Sequence, residues 1–481
     1  MGKAGRHPVS GQREGDAVSR RPVPAPEQLP RLIPADGPLN FARHIDRYGP
    51  VPFRGYGDPR DWRRGVTDML ITTVERSGLT GRGGAGFPAG KKMRSVADRQ
   101  GRRSGFFGSP AGSVVVANGV ESEPASGKDA VLLNRAPHLV LDGIQLAAEA
   151  VGAPEAYLCV ASEDERLTQR LAAAVSERER AGLNQVPVEV MPVYGSYVAS
   201  EESALVNYLN EGPALPVFVP PRPFERGVRG RPTLVNNVET LAHIALIARY
   251  GPTWFAAIGT PDAPGSALVT IGGCVQRPGV YEIPLGMRMG DLIRLAGGLA
   301  ERAQAILAGG YFGGWMALPD AMDAPVSGPA LRKLGAGLGS GIIVVLPESA
   351  CGLAETARVV RYLGTQSAGQ CGPCVNGVPA IADVLEHITW KRADERSIRW
   401  ASRLLPLVEG RGACHFPNGP VAMARSALRV FGGDLRYHQR HGPCPGVRHR
   451  PVLPVPQAAR PPGEQETARG GGRPPVVLGT K

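Results

Sequence analysis

The sequence lacks an uninterrupted apolar run close to the ~20 residues that a bilayer-spanning helix requires. Nothing apolar follows the basic residues of its opening Met1-Gly2-Lys3-Ala4-Gly5-Arg6-His7-Pro8. Neither a membrane span nor a secretory leader is therefore expected, which points to a cytoplasmic protein or one held peripherally on the inner face of a membrane. Cysteine is sparse and odd in number, seven in 481 residues, which argues against a secreted disulfide framework. Cys159, Cys274 and Cys351 stand among apolar or small residues and read as buried small hydrophobes. Internal repeats are also lacking.

Acidic residues are too few to balance the basic ones, and the net charge is +12. An excess of that size raises nucleic acid as a partner, but its location argues otherwise. Residues 1–60 hold ten Lys/Arg against six Asp/Glu, and residues 436–481 hold eight against two, so +10 of the +12 lies in these Pro-, Gly- and Arg-rich ends. They read as disordered basic tails, or as docking ends for an acidic partner or anionic lipid. No nucleic-acid partner is expected.

The length suggests about three domains of ~150 residues. Over 61–255, apolar strand-like runs alternate with helical patterns. Val114 to Ala117 and Ala156 to Val160 read as buried strands, and His138 to Val151 and Arg166 to Glu177 as helices. The alternating valines at 186, 188 and 190 suit a strand at a sheet edge, where Pro187 and Pro192 are tolerable. Such alternation argues for an α/β layer with a largely parallel sheet. Residues 256–348 change texture: strands at 267–273 and 280–284 flank the Pro278-Gly279 turn, and a short helix follows at 290–296, as in a small α+β module. Residues 349–435 hold four helix-length segments broken by Gly or Pro, which suits a helical bundle.

Four segments of the first half carry chemistry. The loop Gly78-Leu79-Thr80-Gly81-Arg82-Gly83-Gly84-Ala85-Gly86-Phe87-Pro88-Ala89-Gly90-Lys91-Lys92 clusters glycines whose N–H groups can approach a phosphate or a flavin ring, with Arg82, Lys91 and Lys92 adding positive charge. It matches neither a Walker loop nor a strict dinucleotide fingerprint, and also reads as a plain surface loop. Asn118 to Asp129 follows the strand at 114–117, where α/β sheets bind ligands; its Glu121 and Glu123 read as ligand-bonding carboxylates or as a solvated acidic turn. Tyr197 to Leu205 and Pro232 to Thr240 offer Glu201, Glu202, Asn236 and Asn237, although Ser200 or Asn236 reads equally as a helix cap.

Near the C-terminus stands Ser367-Ala368-Gly369-Gln370-Cys371-Gly372-Pro373-Cys374, with Cys414 40 positions beyond Cys374. Cys-x-x-Cys plus a distant Cys on helical texture suggests iron–sulfur ligands, but a [4Fe–4S] cube takes four thiolates. Ala368 stands where the fourth would complete the run. Three outcomes stay open: a three-Cys cluster completed by another ligand, a [3Fe–4S] form, or plain thiols. Cys444 lies in the tail and reads as a free thiol, with reaching back as the alternative.

Together these segments resemble the NADH- and FMN-binding subunit of respiratory complex I and the matching flavin subunits of NAD-linked hydrogenases and formate dehydrogenases, over about residues 65–430. The resemblance implies a Rossmann-like FMN/NADH domain, a small ubiquitin-like α+β domain that binds soluble ligands, and a helical-bundle iron–sulfur domain. By resemblance, Gly81, Arg82, Gly83, Gly84, Gly86, Lys92, Asn118, Tyr197, Asn236 and Asn237 would hold FMN. Glu121, Glu123, Glu201 and Glu202 would line the flavin and NADH site, with Glu121 and Glu123 as the catalytic pair and Phe87 as an apolar wall. Cys371, Cys374 and Cys414 would bind the cluster. The implied reaction passes electrons from NADH through FMN and the cluster to a ferredoxin-like or other iron–sulfur subunit, or to a quinone-reducing partner in a membrane-associated complex. A non-catalytic ligand-binding or assembly protein is the alternative. The sequence departs from the family pattern at Ala368, at Val120 (an aspartate there), and at Ser122, Ala125 and Ser200 (glycines there). Arg222 replaces a stacking aromatic, with Phe224 two residues away.

Overall fold

The computed structural model describes residues 28–34, 37–52, 66–103, 112–391 and 393–456. Three helices come first, α1 (Phe41–Tyr48), α2 (Val66–Ser77) and α3 (Ala89–Arg103). An alternating run follows: β1 (Val114–Gly119), α4 (Lys128–Arg135), α5 (Pro137–Val151), β2 (Ala156–Ala161), α6 (Glu165–Arg180), β3 (Val188–Val193), α7 (Glu202–Leu209), β4 (Thr233–Asn237) and α8 (Val238–Ala256). The strands form one parallel sheet in the order β3-β2-β1-β4, which puts the proline-containing β3 at an edge. The strand period of 2 sorts the side chains: Val115 and Ala117 join the core shared with α2, α5 and α8, while Val114 and Val116 pack on the opposite face with Leu205 of α7.

Next come the short pair β5 (Gly259–Thr260) and β6 (Ala263–Pro264), then β7 (Ser266–Gly273), β8 (Gly279–Pro284), α9 (Met289–Leu295), β9 (Ala303–Ala308), β10 (Gly314–Ala317), α10 (Gly328–Lys333) and β11 (Ile342–Pro347). The β7–β8 hairpin with α9 behind it is the one expected, and the whole sheet is five-stranded and mixed, β10-β9-β11-β7-β8. The chain ends in helices α11 (Gly352–Thr365), α12 (Val378–Trp390), α13 (Glu395–Val408), α14 (Asn418–Val430) and α15 (Gly432–His441). No described helix is long and apolar enough to cross a membrane.

Both expected tails are partly built into the body. Leu32, Ile33, Leu39, Tyr48 and Val51 lie in the first core, and the backbone N–H groups of Arg31 and Leu32 each donate to Glu282 at 2.7 Å. Arg31 stacks on Trp254 at 3.9 Å. At the other end Leu453 is buried, and its N–H and that of Val452 donate to the Glu355 carboxylate at 2.9 and 3.2 Å. Residues 1–27 and 457–481 lie outside the described residues.

A buried ionic centre locks the first helices. Asp142 of α5 receives Arg249 of α8 at 2.5 Å, Arg178 of α6 at 2.7 Å and His44 of α1 at 2.8 Å. Burial opposes the Asp142 charge, but Arg249, His44 and Arg178 outweigh it and hold the carboxyl far below the usual range. At the next residue, α5 and α8 touch at Gly143, where a Cβ would come 2.0 Å from the Leu241 carbonyl oxygen. Gly143→Ala therefore forces two packed helices apart. We expect it to lose about 2–3 kcal/mol or more, read as a lower urea midpoint with an unchanged slope.

Candidate active site

Strand order reverses between β1 and β4, because β2 and β3 extend the sheet on one side of β1 and β4 returns to the other. In open α/β sheets the crevice at such a reversal, beyond the carboxyl ends of the strands, is the ligand site. Asn118 of β1 and Asn237 of β4 are register partners there. The Gly-rich loop joins them: a Cβ on Gly83 would meet the Asn237 Cβ at 3.2 Å, so the loop lies directly on the strand end. Gly84 and Gly86 take φ of 112° and 64°, which side chains rarely adopt. The loop closes through Gly81 N–H to the Phe87 carbonyl at 2.8 Å.

Beneath the loop lies a buried charge cluster. Glu239, in the first turn of α8, receives Lys128 at 3.0 Å, the Leu268 N–H of β7 at 2.8 Å and Arg82 at 3.9 Å. Lys128 also bonds Asp129 at 2.7 Å and Asn237 Oδ1 at 3.2 Å. Burial would raise the Glu239 carboxyl, but Lys128 leads a set of partners that pull it down to about 2. The Arg82 guanidinium is turned inward, donating to Thr80 and to the Ser266 carbonyl at 3.0 Å. These bonds tie the Arg82 side chain to the protein framework beneath the loop. Asn237 also bonds within the protein, donating its amide to Asp129 at 2.7 Å and accepting the Glu239 N–H on its carbonyl oxygen at 3.0 Å as the cap of α8. That cap is Asn237 rather than Asn236, and the cap of α7 is Glu201 rather than Ser200. Lys128, Asp129 and Glu239 lie inside the motifs, but sequence reasoning did not single them out; their only signal was charge at a strand-to-helix junction.

The wall above carries the remaining carboxylates. Glu121 accepts from Asp129 N–H at 3.2 Å and Ala130 N–H at 3.0 Å, so it caps α4. Glu123 accepts from the Tyr197 hydroxyl at 2.8 Å and from Tyr311 N–H at 2.6 Å. A Cβ at Gly310 would collide with the Glu123 carboxylate at 2.0 Å, so glycine is required where the second sheet meets this site. Burial pushes Glu123 up to about 7, against the pull of its two donors. Lys92 pairs with Glu202 at 2.5 Å, both partly exposed, and Phe87 is 54% exposed. Asn118 donates to the Ser200 carbonyl at 2.8 Å. Two of the departures meet here: Ser122 and Ser200 hydroxyls are 2.7 Å apart, and Ser122 donates to the Tyr197 carbonyl at 2.7 Å. Val120 packs into the apolar cluster with Tyr157 and Cys159, where a carboxylate would be desolvated. Phe224 packs against the first core and does not replace the aromatic missing at Arg222.

The residues fit FMN on one observation in particular. Asn236 is buried and its amide nitrogen has no hydrogen-bond partner, a deficit that a ligand acceptor at the strand end would satisfy. The cluster region fits in part. The Cys371 and Cys374 sulfurs interact with each other, and Cys414 lies beside them. Ala368 packs on the same core and offers no donor. Cys444 does reach back, but to Cys351 and His438 rather than to these thiols.

Fold and site define a flavin and iron–sulfur class, and comparison with known proteins agrees. The family model described as the Nuo51 FMN-binding domain matches residues 74–246, the SLBB domain 268–316, and the NADH-ubiquinone oxidoreductase-F iron-sulfur binding region 349–438. The chain belongs to the family of the F subunits of NADH-quinone oxidoreductase. It is 30% identical to the F subunit of the Mycobacterium tuberculosis enzyme over 84% of this chain and 91% of the relative. It is 32% identical to that of Aquifex aeolicus over 68% and 76%. Among solved structures it is similar to an NAD+-reducing [NiFe]-hydrogenase in the H2-reduced state, with a TM-score of 0.71 and 31% identity over 79% of this chain. It spans 64% of that hydrogenase chain.

Because Glu123 holds its proton more tightly when folded, the stability this group contributes is greatest at low pH and falls as pH rises from about 4.5 toward about 7. We expect Glu123→Gln to flatten that slope in urea titrations between these limits, and a slope equal to the parent's would refute the assignment.

Proposed function

We propose that this chain is an oxidoreductase subunit that passes electrons from NADH through FMN to an iron–sulfur cluster, and on to a ferredoxin-like or other iron–sulfur partner. The observation that carries this reading is the unpaired Asn236 amide at the β1/β4 crevice, roofed by the Gly81–Lys92 loop. On this reading the flavin domain comes first, the ligand-binding module second and the iron–sulfur bundle last. FMN, when bound, supplies acceptance of a hydride and delivery of single electrons.

The chain's own residues do the rest. Asn236 and the loop N–H groups orient the ligand, and Lys92, held beside Glu202 at 2.5 Å, supplies the accessible positive charge. Glu123 titrates near neutrality and can hold or release a proton toward the Tyr197 hydroxyl at 2.8 Å. Phe87 keeps an apolar wall at the mouth. Cys371, Cys374 and Cys414 would hold the iron–sulfur cluster, which would supply one-electron transfer, with any further ligand coming from outside this set.

Two experiments test the reading. In an anaerobic NADH titration of the purified protein, the flavin absorbance is expected to bleach. A protein that neither carries nor binds added FMN would support the non-catalytic alternative instead. Ala368→Cys is expected to raise iron and sulfide content and to slow cluster loss in air several-fold; no change in either would show that residue 368 does not face the cluster.

A further inference from the structure

Among the described residues, apart from the site above, one set of side chains is assembled as a metal site would be. Cys351 precedes the first turn of α11, His438 lies in α15, and Cys444 starts the short turn Pro445–Arg448. The two sulfurs and one imidazole nitrogen lie within 4.8 Å of one another. Cys351 Sγ is 3.8 Å from His438 Nε2. Bonds of about 2.3 Å to sulfur and about 2.0–2.1 Å to nitrogen place two tetrahedral zinc ligands about 3.6 Å apart, so little movement is needed to close on one ion.

His438 is oriented for the role. Its Nδ1 faces the Ile388 carbonyl at 3.2 Å. A carbonyl only accepts, so Nδ1 carries the proton and Nε2 turns its lone pair to the sulfurs, as metal-ligating histidines do. Cys351 and His438 are buried while Cys444 is half-buried, which leaves a water-accessible side for a fourth ligand. The backbone is held close as well. Cys351 N–H donates to the Gly446 carbonyl at 3.1 Å, and a Cβ at Gly446 would press on Cys351 N at 2.8 Å.

We infer that Cys351, His438 and Cys444 bind one Zn2+ through two thiolates and one imidazole, with water as the fourth ligand. Binding displaces two thiol protons and involves no change of oxidation state. The ion fastens residues 442–456 to the start of α11. That segment continues to Leu453 and to Pro454, whose carbonyl accepts from the Tyr311 hydroxyl. Tyr311 also donates its N–H to Glu123, so the clamp braces the module wall of the active site.

The test is metal analysis of the full chain with Cys371, Cys374 and Cys414 all changed to Ser, so that the cluster thiols contribute nothing. About one zinc per chain is expected to survive gel filtration, and about none after Cys444→Ser in the same background. Co2+ in place of zinc is expected to give thiolate charge-transfer bands and the visible bands of a tetrahedral ion, both lost in Cys444→Ser. Chelation is expected to speed proteolysis beyond residue 442. If the triple variant does not fold, the same comparison is made between the otherwise unchanged protein and its Cys444→Ser variant, with loss of about one zinc equivalent expected. No retained zinc with free thiols at 351 and 444 would mean a hydrogen-bonded trio, and a Cys351–Cys444 disulfide would mean a redox pair; either overturns the proposal.

Discussion

The ligand end of the parallel sheet depends on one buried carboxylate. Glu239 gathers the Gly-rich loop through Arg82, α4 through Lys128 and the second sheet through the Leu268 N–H. An unpaired buried charge costs several kcal/mol, so the three segments are held by the requirement that none of these charges be left alone. The cluster is also balanced, with Lys128 and Arg82 against Glu239 and Asp129. It has no positive charge to spare for an anionic ligand. Attraction for a phosphate must come from the loop N–H groups and from Lys92, whose bond to Glu202 lies at the partly exposed edge of the site.

A second carboxylate joins the layers above the crevice. Glu123 is tied to Tyr197 on one side and to the backbone of Tyr311 on the other. The Tyr197 ring in turn sits 5.1 Å from Phe312 and 6.0 Å from Phe416. The same tyrosine thus touches the first domain, the second sheet and the loop leading into α14. Cys414 precedes Phe416 by two residues, and its environment includes Glu201 from the cap of α7. The flavin wall and the thiol group therefore share a border.

Local pattern made the strands and helices legible. The valine run 114–116 and the apolar face of α5 announce themselves within a dozen residues. What the sequence hid depends on distant partners. Residues 31–33 look like tail until Glu282, about 250 positions away, receives their N–H groups. Arg82 looks like an anion ligand because its motif is glycine-rich, and only the Ser266 carbonyl, which accepts from its guanidinium, shows that it turns inward. Cys444 sits in tail-like composition, and only the fold brings it to Cys351. Composition reports solvation, not contact, so a Pro- and Arg-rich end can be docked without appearing so.

The departures from the family pattern divide by what they do to their surroundings. Ser122 and Ser200 satisfy one another across 2.7 Å and bind the Tyr197 carbonyl, so two side chains absent from the family close a gap between two loops. Val120 joins an apolar cluster that would penalise the carboxylate it replaces. Each of these changes is compensated by the packing or hydrogen bonds of its neighbours. Ala368 differs in kind. A methyl group packed on the bundle core satisfies packing but supplies no electrons to a metal. A four-iron cluster here would need a ligand from elsewhere to make up that loss, and the charge of such a ligand would tune its potential.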